Sequence, residues 1–210
     1  MTPPHVIFLP GALGAAEFWH PVGAMLPVSW EKVYLRWPGI GSQEADPDVR
    51  GFDDLVRLVE RDLDGPSDLV AQSIGGVVAI RVALRNPDKV RRLVLVATSG
   101  GVDVGRLGGT EWRDNYRRNN PGADEWVTRD RSDHTAEIGS ISAPTLLLWG
   151  DSDPISPLAV GEYLDSLLPN AQLHVIPKGT HSLAVERAQE IAPIITAHLA
   201  VEDDQLASLS

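Results

Sequence analysis

Six short, apolar-centred runs of β-prone residues recur along this chain, at residues 5–9, 32–36, 68–72, 93–97, 145–149 and 172–176. Helical stretches are expected between them: 15–26, 52–63, 77–86, 157–168 and 182–199. In the second of these, Phe52, Leu55, Val56, Val59 and Leu63 keep the spacing of one helix face. Strands apolar along their whole length are buried on both sides. The pattern therefore predicts an α/β fold, a parallel six-stranded sheet with helices on both faces. Ligands of such sheets gather outside the carboxyl ends of the strands, where the winding reverses. Chemistry is expected where the chain leaves a strand.

The sequence leaving the third run carries the sharpest signal. Gln72-Ser73-Ile74-Gly75-Gly76 follows Asp68-Leu69-Val70-Ala71 directly and opens a helical stretch. A serine at a strand-to-helix turn, with small residues two positions before (Ala71) and after (Gly75), has the layout of a nucleophile elbow. The sharp turn strains the serine backbone and crowds its neighbours, so only small side chains fit beside it. The commoner pattern is G-x-S-x-G, and alanine replaces its first glycine here. A plain helix N-cap would also account for a serine at this place.

A serine needs a base to take its proton and an acid to orient that base. Of six histidines, His5 and His174 fall in strands, His20 and His198 in helices, and His134 in a long irregular segment. His181, in Lys178-Gly179-Thr180-His181-Ser182, leaves the last strand on the same sheet edge as Ser73. The acid is expected after the fifth strand, in Trp149-Gly150-Asp151-Ser152-Asp153-Pro154. Asp153 is preferred, lying further out with Pro154 stiffening the turn, and Asp151 is the alternative. The Asp151–Glu162 spacing resembles a calcium loop, but Pro154 and Ser156 stand where an EF-hand tolerates neither. An oxyanion hole is expected from the Ile74 N–H, just after the serine, and the Ala12 N–H in the loop Leu9-Pro10-Gly11-Ala12-Leu13-Gly14.

These residues resemble the α/β-hydrolase fold superfamily over nearly the whole chain. The order Ser73, Asp153, His181 matches that superfamily's serine–acid–histidine order, and Gly150 to Asp153 resembles its G-x-x-D turn. Gly179-Thr180-His181 resembles its G-x-H loop, and Trp37-Pro38-Gly39-Ile40-Gly41-Ser42 its D-x-P-G-H-G-x-S stretch without the aspartate and the histidine. Pro10 stands where many members have histidine. The resemblance implies a member lacking the first strand pair, with a reduced cap, close in pattern to small carboxylesterases such as the pimeloyl-carrier methyl ester esterases. It implies residues 1–98 and 144–200 as core, 99–143 as a short cap insertion, and 201–210 as a flexible tail.

Composition narrows the partners. With 210 residues, 43% of them hydrophobic, the chain suits one domain. No run of about 18 apolar residues is present, so no membrane span is expected. The opening Met1-Thr2-Pro3-Pro4 lacks a basic region, so no signal peptide is expected. The absence of cysteine excludes disulfides and thiolate chemistry and fits a cytoplasmic protein. A net charge of −11 opposes phosphate backbones, so no nucleic-acid partner is expected.

The expected activity is hydrolysis of small to medium acyl esters, with no cofactor and no metal. Acyltransferase or thioesterase chemistry would use the same acyl-enzyme. A nucleotide-dependent oxidoreductase is disfavoured, because Leu13 fills the middle glycine position of a dinucleotide fingerprint at Gly11–Ala16. A binding protein that had lost the chemistry would be expected to lack one of the three residues. Activity is expected to fall on acidification as the imidazole takes up a proton. A short lid implies an open, shallow site, with Leu13, Trp37, Trp112 and Trp126 as candidate substrate lining.

Overall fold

The computed structural model describes residues 4–201. Its six strands are β1 (His5–Leu9), β2 (Glu31–Tyr34), β3 (Ser67–Gln72), β4 (Val90–Val96), β5 (Thr145–Gly150) and β6 (Ala171–Ile176). All neighbours pair in parallel, in the order β2-β1-β3-β4-β5-β6. The winding reverses between β1 and β3, where Leu9 pairs with Ala71. The loops after these two strands therefore start side by side and diverge to open a crevice.

Alternation along the strands builds two cores. Ile7, Leu9, Leu69, Leu93, Leu95 and Leu147 face one layer with α2 (Phe52–Arg61), α3 (Ile74–Arg85) and α5 (Leu158–Leu167). Val6, Phe8, Val70, Val94 and Leu148 face the other, with α1 (His20–Gly23), α6 (Leu183–Glu186) and α7 (Ala188–Leu199). Burial on both sides explains why the central runs are apolar throughout. The edge strand β6 alternates and keeps only Ile176 fully buried.

Two helical expectations change. Residues 15–26 form a 3₁₀ turn, Ala16–Trp19, and the single turn α1, because Pro21 has no N–H and enters at the start of a helix instead of continuing one. The last helical stretch divides at Arg187 into α6 and α7. The fourth strand begins earlier than expected, at Val90, and ends where Ala97 turns to φ 45°.

Within 99–143 the chain forms α4 (Arg113–Asn119) and 3₁₀ turns at Val104–Leu107, Glu125–Thr128 and Ile138–Ser140. Arg81, buried on α3, ties this segment down. Its guanidinium pairs with Asp130 at 2.5 Å, and its Nε–H donates to His134 Nε2 at 3.1 Å. Burial alone would push the Asp130 carboxyl up. The Ser132 N–H and the Arg81 charge outweigh it and hold that group below the usual carboxylate range. Among the described residues no helix is long and apolar enough to cross a membrane. Residues 202–210 of the expected tail lie outside the described residues.

Candidate active site

Ser73 stands between β3 and α3 with φ 53° and ψ −121°. That backbone region costs a non-glycine residue about 1–3 kcal/mol, and the surroundings must enforce it. They do so by holding the serine's own N–H and carbonyl. The Ser73 N–H donates to Val96 O at 3.1 Å, and Thr98 Oγ1 donates to Ser73 O at 2.5 Å. A Cβ on Gly75 would lie 2.6 Å from the carbonyl oxygens of Leu9 and Pro10, which explains the small residue two places after the serine.

The loop after β6 brings His181 to this turn. His181 Nε2 lies 3.0 Å from Ser73 Oγ, and His181 Nδ1 lies 2.8 Å from Asp153 Oδ2. An ionised carboxylate can only accept, so Nδ1 carries the proton and Nε2 presents its lone pair to the serine hydroxyl. The Asp153 side chain is fully buried. The N–H groups of Ile155 and Ser156 donate to its other oxygen at 2.8 and 3.1 Å, compensating its removal from water.

Asp151 takes a different role in the structure. It is exposed, and its Oδ1 accepts the Lys178 N–H at 2.6 Å, so it ties the loop after β5 to the loop after β6 from outside. Two glycines allow those loops to meet: a Cβ on Gly150 would come within 2.1 Å of the Gly179 carbonyl oxygen. The Ser152 N–H also donates to Gly179 O at 3.0 Å.

The candidate oxyanion donors sit on the turns after β3 and β1. Ile74 opens α3, where an N–H has no acceptor one turn back. Ala12 lies in the turn closed by Gly14 N–H donating to Gly11 O at 3.0 Å. A Cβ on Gly11 would stand 3.2 Å from Ser73 Cβ, so this loop rests directly on the serine turn.

Trp37 supports that loop from behind, which corrects its expected place in the substrate lining. It is 0% exposed, and its indole N–H donates to Pro10 O at 2.6 Å. Trp126 is also turned from the expected role. It packs edge-on to Phe52 with ring centroids 6.0 Å apart, and its neighbour Val127 lines the cavity beside Ser73. Leu13, 64% exposed, and Trp112 do line cavities that reach Ser73 and His181.

Sequence reasoning did not single out Gln72 or Thr98. The Gln72 side-chain amide donates to His181 O at 3.1 Å, and its carbonyl end occupies the space that a Cβ on Gly11 would take. One buried side chain thus touches both the loop after β6 and the loop after β1. Its only sequence signal is a polar residue closing an apolar strand. Thr98 passes support onward, since Ser156 Oγ donates to Thr98 O at 3.0 Å.

Residues 6–135 match the model of the alpha/beta hydrolase family, and residues 112–188 match that of the alpha/beta hydrolase fold. The chain belongs to the α/β-hydrolase family. This family member is 27% identical over 216 residues to a pimeloyl-[acyl-carrier protein] methyl ester esterase of Neisseria meningitidis serogroup B, covering 80% of this chain and 82% of that protein. It is 29% identical over 215 residues to a poly(3-hydroxyalkanoate) depolymerase of Ectopseudomonas oleovorans, covering 82% and 76%. Among solved structures, a thermophilic esterase from Thermogutta terrifontis superposes with TM-score 0.77 at 22% identity, covering 94% of this chain and 90% of that one. A meta-cleavage product hydrolase from Pseudomonas fluorescens IP01 gives 0.75 at 18%, covering 94% and 91%. These two likenesses carry the fold.

Two cavities open at the crevice of this α/β-hydrolase. One cavity of about 400 Å³ runs under the 99–143 segment, and a second of about 370 Å³ runs toward Leu13 and Phe18. Both reach Ser73 and His181. Among the described residues no group of three or more His, Cys, Asp or Glu side chains could hold a metal ion.

Proposed function

We propose that this α/β-hydrolase cleaves carboxylic esters through an acyl-enzyme on Ser73. His181 takes the hydroxyl proton at Nε2 while Ser73 Oγ attacks the ester carbonyl. The Ile74 and Ala12 N–H groups hold the oxygen on which negative charge develops. His181 then gives its proton to the leaving alkoxide, and water repeats the two steps on the acyl-enzyme. Asp153 keeps the imidazole in the required tautomer and stabilises its charged form. The segment 99–143 acts as a short cap over the acyl group.

One observation carries this reading: an unbroken hydrogen-bond chain from Ser73 Oγ through His181 to Asp153, with contacts of 3.0 and 2.8 Å. The kinship with esterases supports the choice of an ester as substrate. Hydrolysis of p-nitrophenyl acetate through hexanoate tests it. Ser73→Ala is expected to lose about 10³-fold or more in kcat, and near-normal turnover by that variant defeats the proposal. Product analysis with added alcohol separates hydrolysis from acyl transfer, since both acceptors compete for the same intermediate.

A further inference from the structure

Two cavities meet at the reacting centre, and they share four lining residues: Ser73, His181, Trp112 and Ile155. The first two are the candidate nucleophile and base. Trp112 and Ile155 are what remains of the common wall. Resting on the ester-hydrolase reading, we propose that Trp112 and Ile155 divide the crevice into an acyl lobe and an alcohol lobe, so that Trp112 sets the acyl length this chain accepts.

The wall is built in. The Thr110 N–H donates to Pro154 O at 2.8 Å, and a Cβ on Gly109 would lie 2.7 Å from Ile155 O. The strand of chain entering Trp112 is thereby fastened to the loop that carries Asp153. On its other side, Trp112 meets Tyr116 edge-on with ring centroids 5.6 Å apart, and the Tyr116 hydroxyl accepts the Gly41 N–H at 2.8 Å. Gly41 in turn packs against Leu13, since a Cβ there would lie 2.4 Å from Leu13 O. The Arg113 guanidinium covers the indole, 5.2 Å from its ring centroid. Trp112 is thus held between the loop that carries Asp153 and the loop that carries Ala12 and Leu13.

Chemistry assigns the lobes. His181 must protonate the leaving oxygen, and the residue after it, Ser182, lines the second cavity together with Ala12 and Leu13. The alcohol leaves on that side. The first cavity is floored next to Ser73 by Ile74, Val77, Val102 and Val127, which suits an aliphatic acyl chain. The rest of its lining carries Asp103, Glu111, Arg113, Asp130, Arg131 and Asp133, where further methylenes gain nothing. Apart from His181 and the Tyr116 phenol, the second cavity has no ionisable side chain in its lining, and Asn115, Asn119 and Asn120 supply neutral amides. The substrate class is an ester of a short aliphatic acid with an uncharged alcohol.

Two ester series test this: p-nitrophenyl acetate through decanoate for the acyl lobe, and methyl through hexyl butanoates, followed by acid release, for the alcohol lobe. In the wild type, kcat/KM should rise about three- to four-fold per acyl methylene and then turn over. Trp112→Ala should move the turning point to longer acyl chains and flatten the alcohol series. Ile155→Ala should do the same more weakly, and Trp112→Phe should shift the turning point less than Trp112→Ala. Fluorophosphonate labelling of Ser73 checks that each variant retains its site. An unchanged turning point in a Trp112→Ala protein that labels at the wild-type rate overturns the proposal. Should Trp112→Ala not fold, Trp112→Leu takes its place, and unchanged turning points in both Trp112→Leu and Ile155→Ala overturn it equally. Failure of the wild type to hydrolyse either series would instead strike the ester-hydrolase reading.

Discussion

The loops that carry Ser73, Asp153 and His181 and the segment 99–143 are held in place by different means. The first are fixed by main chain: glycine-to-glycine approach at Gly150 and Gly179, carbonyls packed on Gly75, and backbone hydrogen bonds to Val96 and Gly179. The second is joined by main-chain bonds from Thr110 N–H to Pro154 O and Asp124 N–H to Gly39 O, and beyond these by side chains, above all Arg81 with Asp130 and His134. Main-chain contacts tolerate little displacement, because a glycine replaced there meets backbone. Side-chain contacts can loosen one at a time. The candidate triad therefore sits where glycines and backbone pack most closely, and the proposed cap sits where side chains share the anchoring.

The largest expected effect tests the first region through its two carboxylates. Asp153→Asn leaves the geometry but favours the wrong imidazole tautomer, and kcat should fall about 10⁴-fold. Asp151→Asn keeps an oxygen for the Lys178 N–H and should change kcat less than about tenfold. Equal losses in the two variants would erase the distinction drawn between these aspartates.

Next in size, Arg81→Met removes the cation beside Asp130 and His134. It should cost about 2 kcal/mol of stability, read from denaturant melts, because the half-buried Asp130 carboxylate loses its partner. Proteolysis within 99–143 should speed up while Ser73 labelling persists. Loss of labelling in a folded Arg81→Met protein would show that the two regions are not separable as described.

The smallest effect concerns acid stability far from the site. Burial pushes the His198 imidazole down to about 4, with the nearby Arg92 charge acting the same way. Unfolded, this histidine binds a proton near its ordinary value of about 6.5. The unfolded chain thus holds the extra proton between those values. The contribution is complete above about pH 6.5 and is lost as pH falls toward 4, amounting to about 1–2 kcal/mol at pH 5. His198→Gln should flatten the melting temperature across that window. An unchanged slope would assign the acid sensitivity to other groups.

Much of the first region was legible in the sequence because main-chain geometry constrains residue size. Ala71, Ser73 and Gly75 announce a crowded turn, and Gly179 before His181 announces a loop that approaches another. Position at a strand end separated His181 from five other histidines. The preference for Asp153 over Asp151 rested on reach and on Pro154 stiffening the turn; what sets the two apart is the inward path of the chain after Gly150, a tertiary feature. Trp37 misled because a tryptophan after a strand looks like lining, whereas its N–H finds a carbonyl 27 residues away. α4 escaped notice since Tyr116 is its one buried residue, so its sequence carries no apolar period. The Arg81 anchor escaped as well, as its partners lie 49 and 53 residues further along the chain.

The most direct measurement is covalent trapping. After exposure to a fluorophosphonate, peptide mass spectrometry should find one adduct per chain, on the fragment containing Ser73. The adduct should be missing from Ser73→Ala and should form far more slowly in His181→Ala. Stoichiometric labelling of Ser73→Ala at another residue, or ester turnover by a wild-type protein whose Ser73 never reacts, would contradict a serine activated by its neighbouring imidazole.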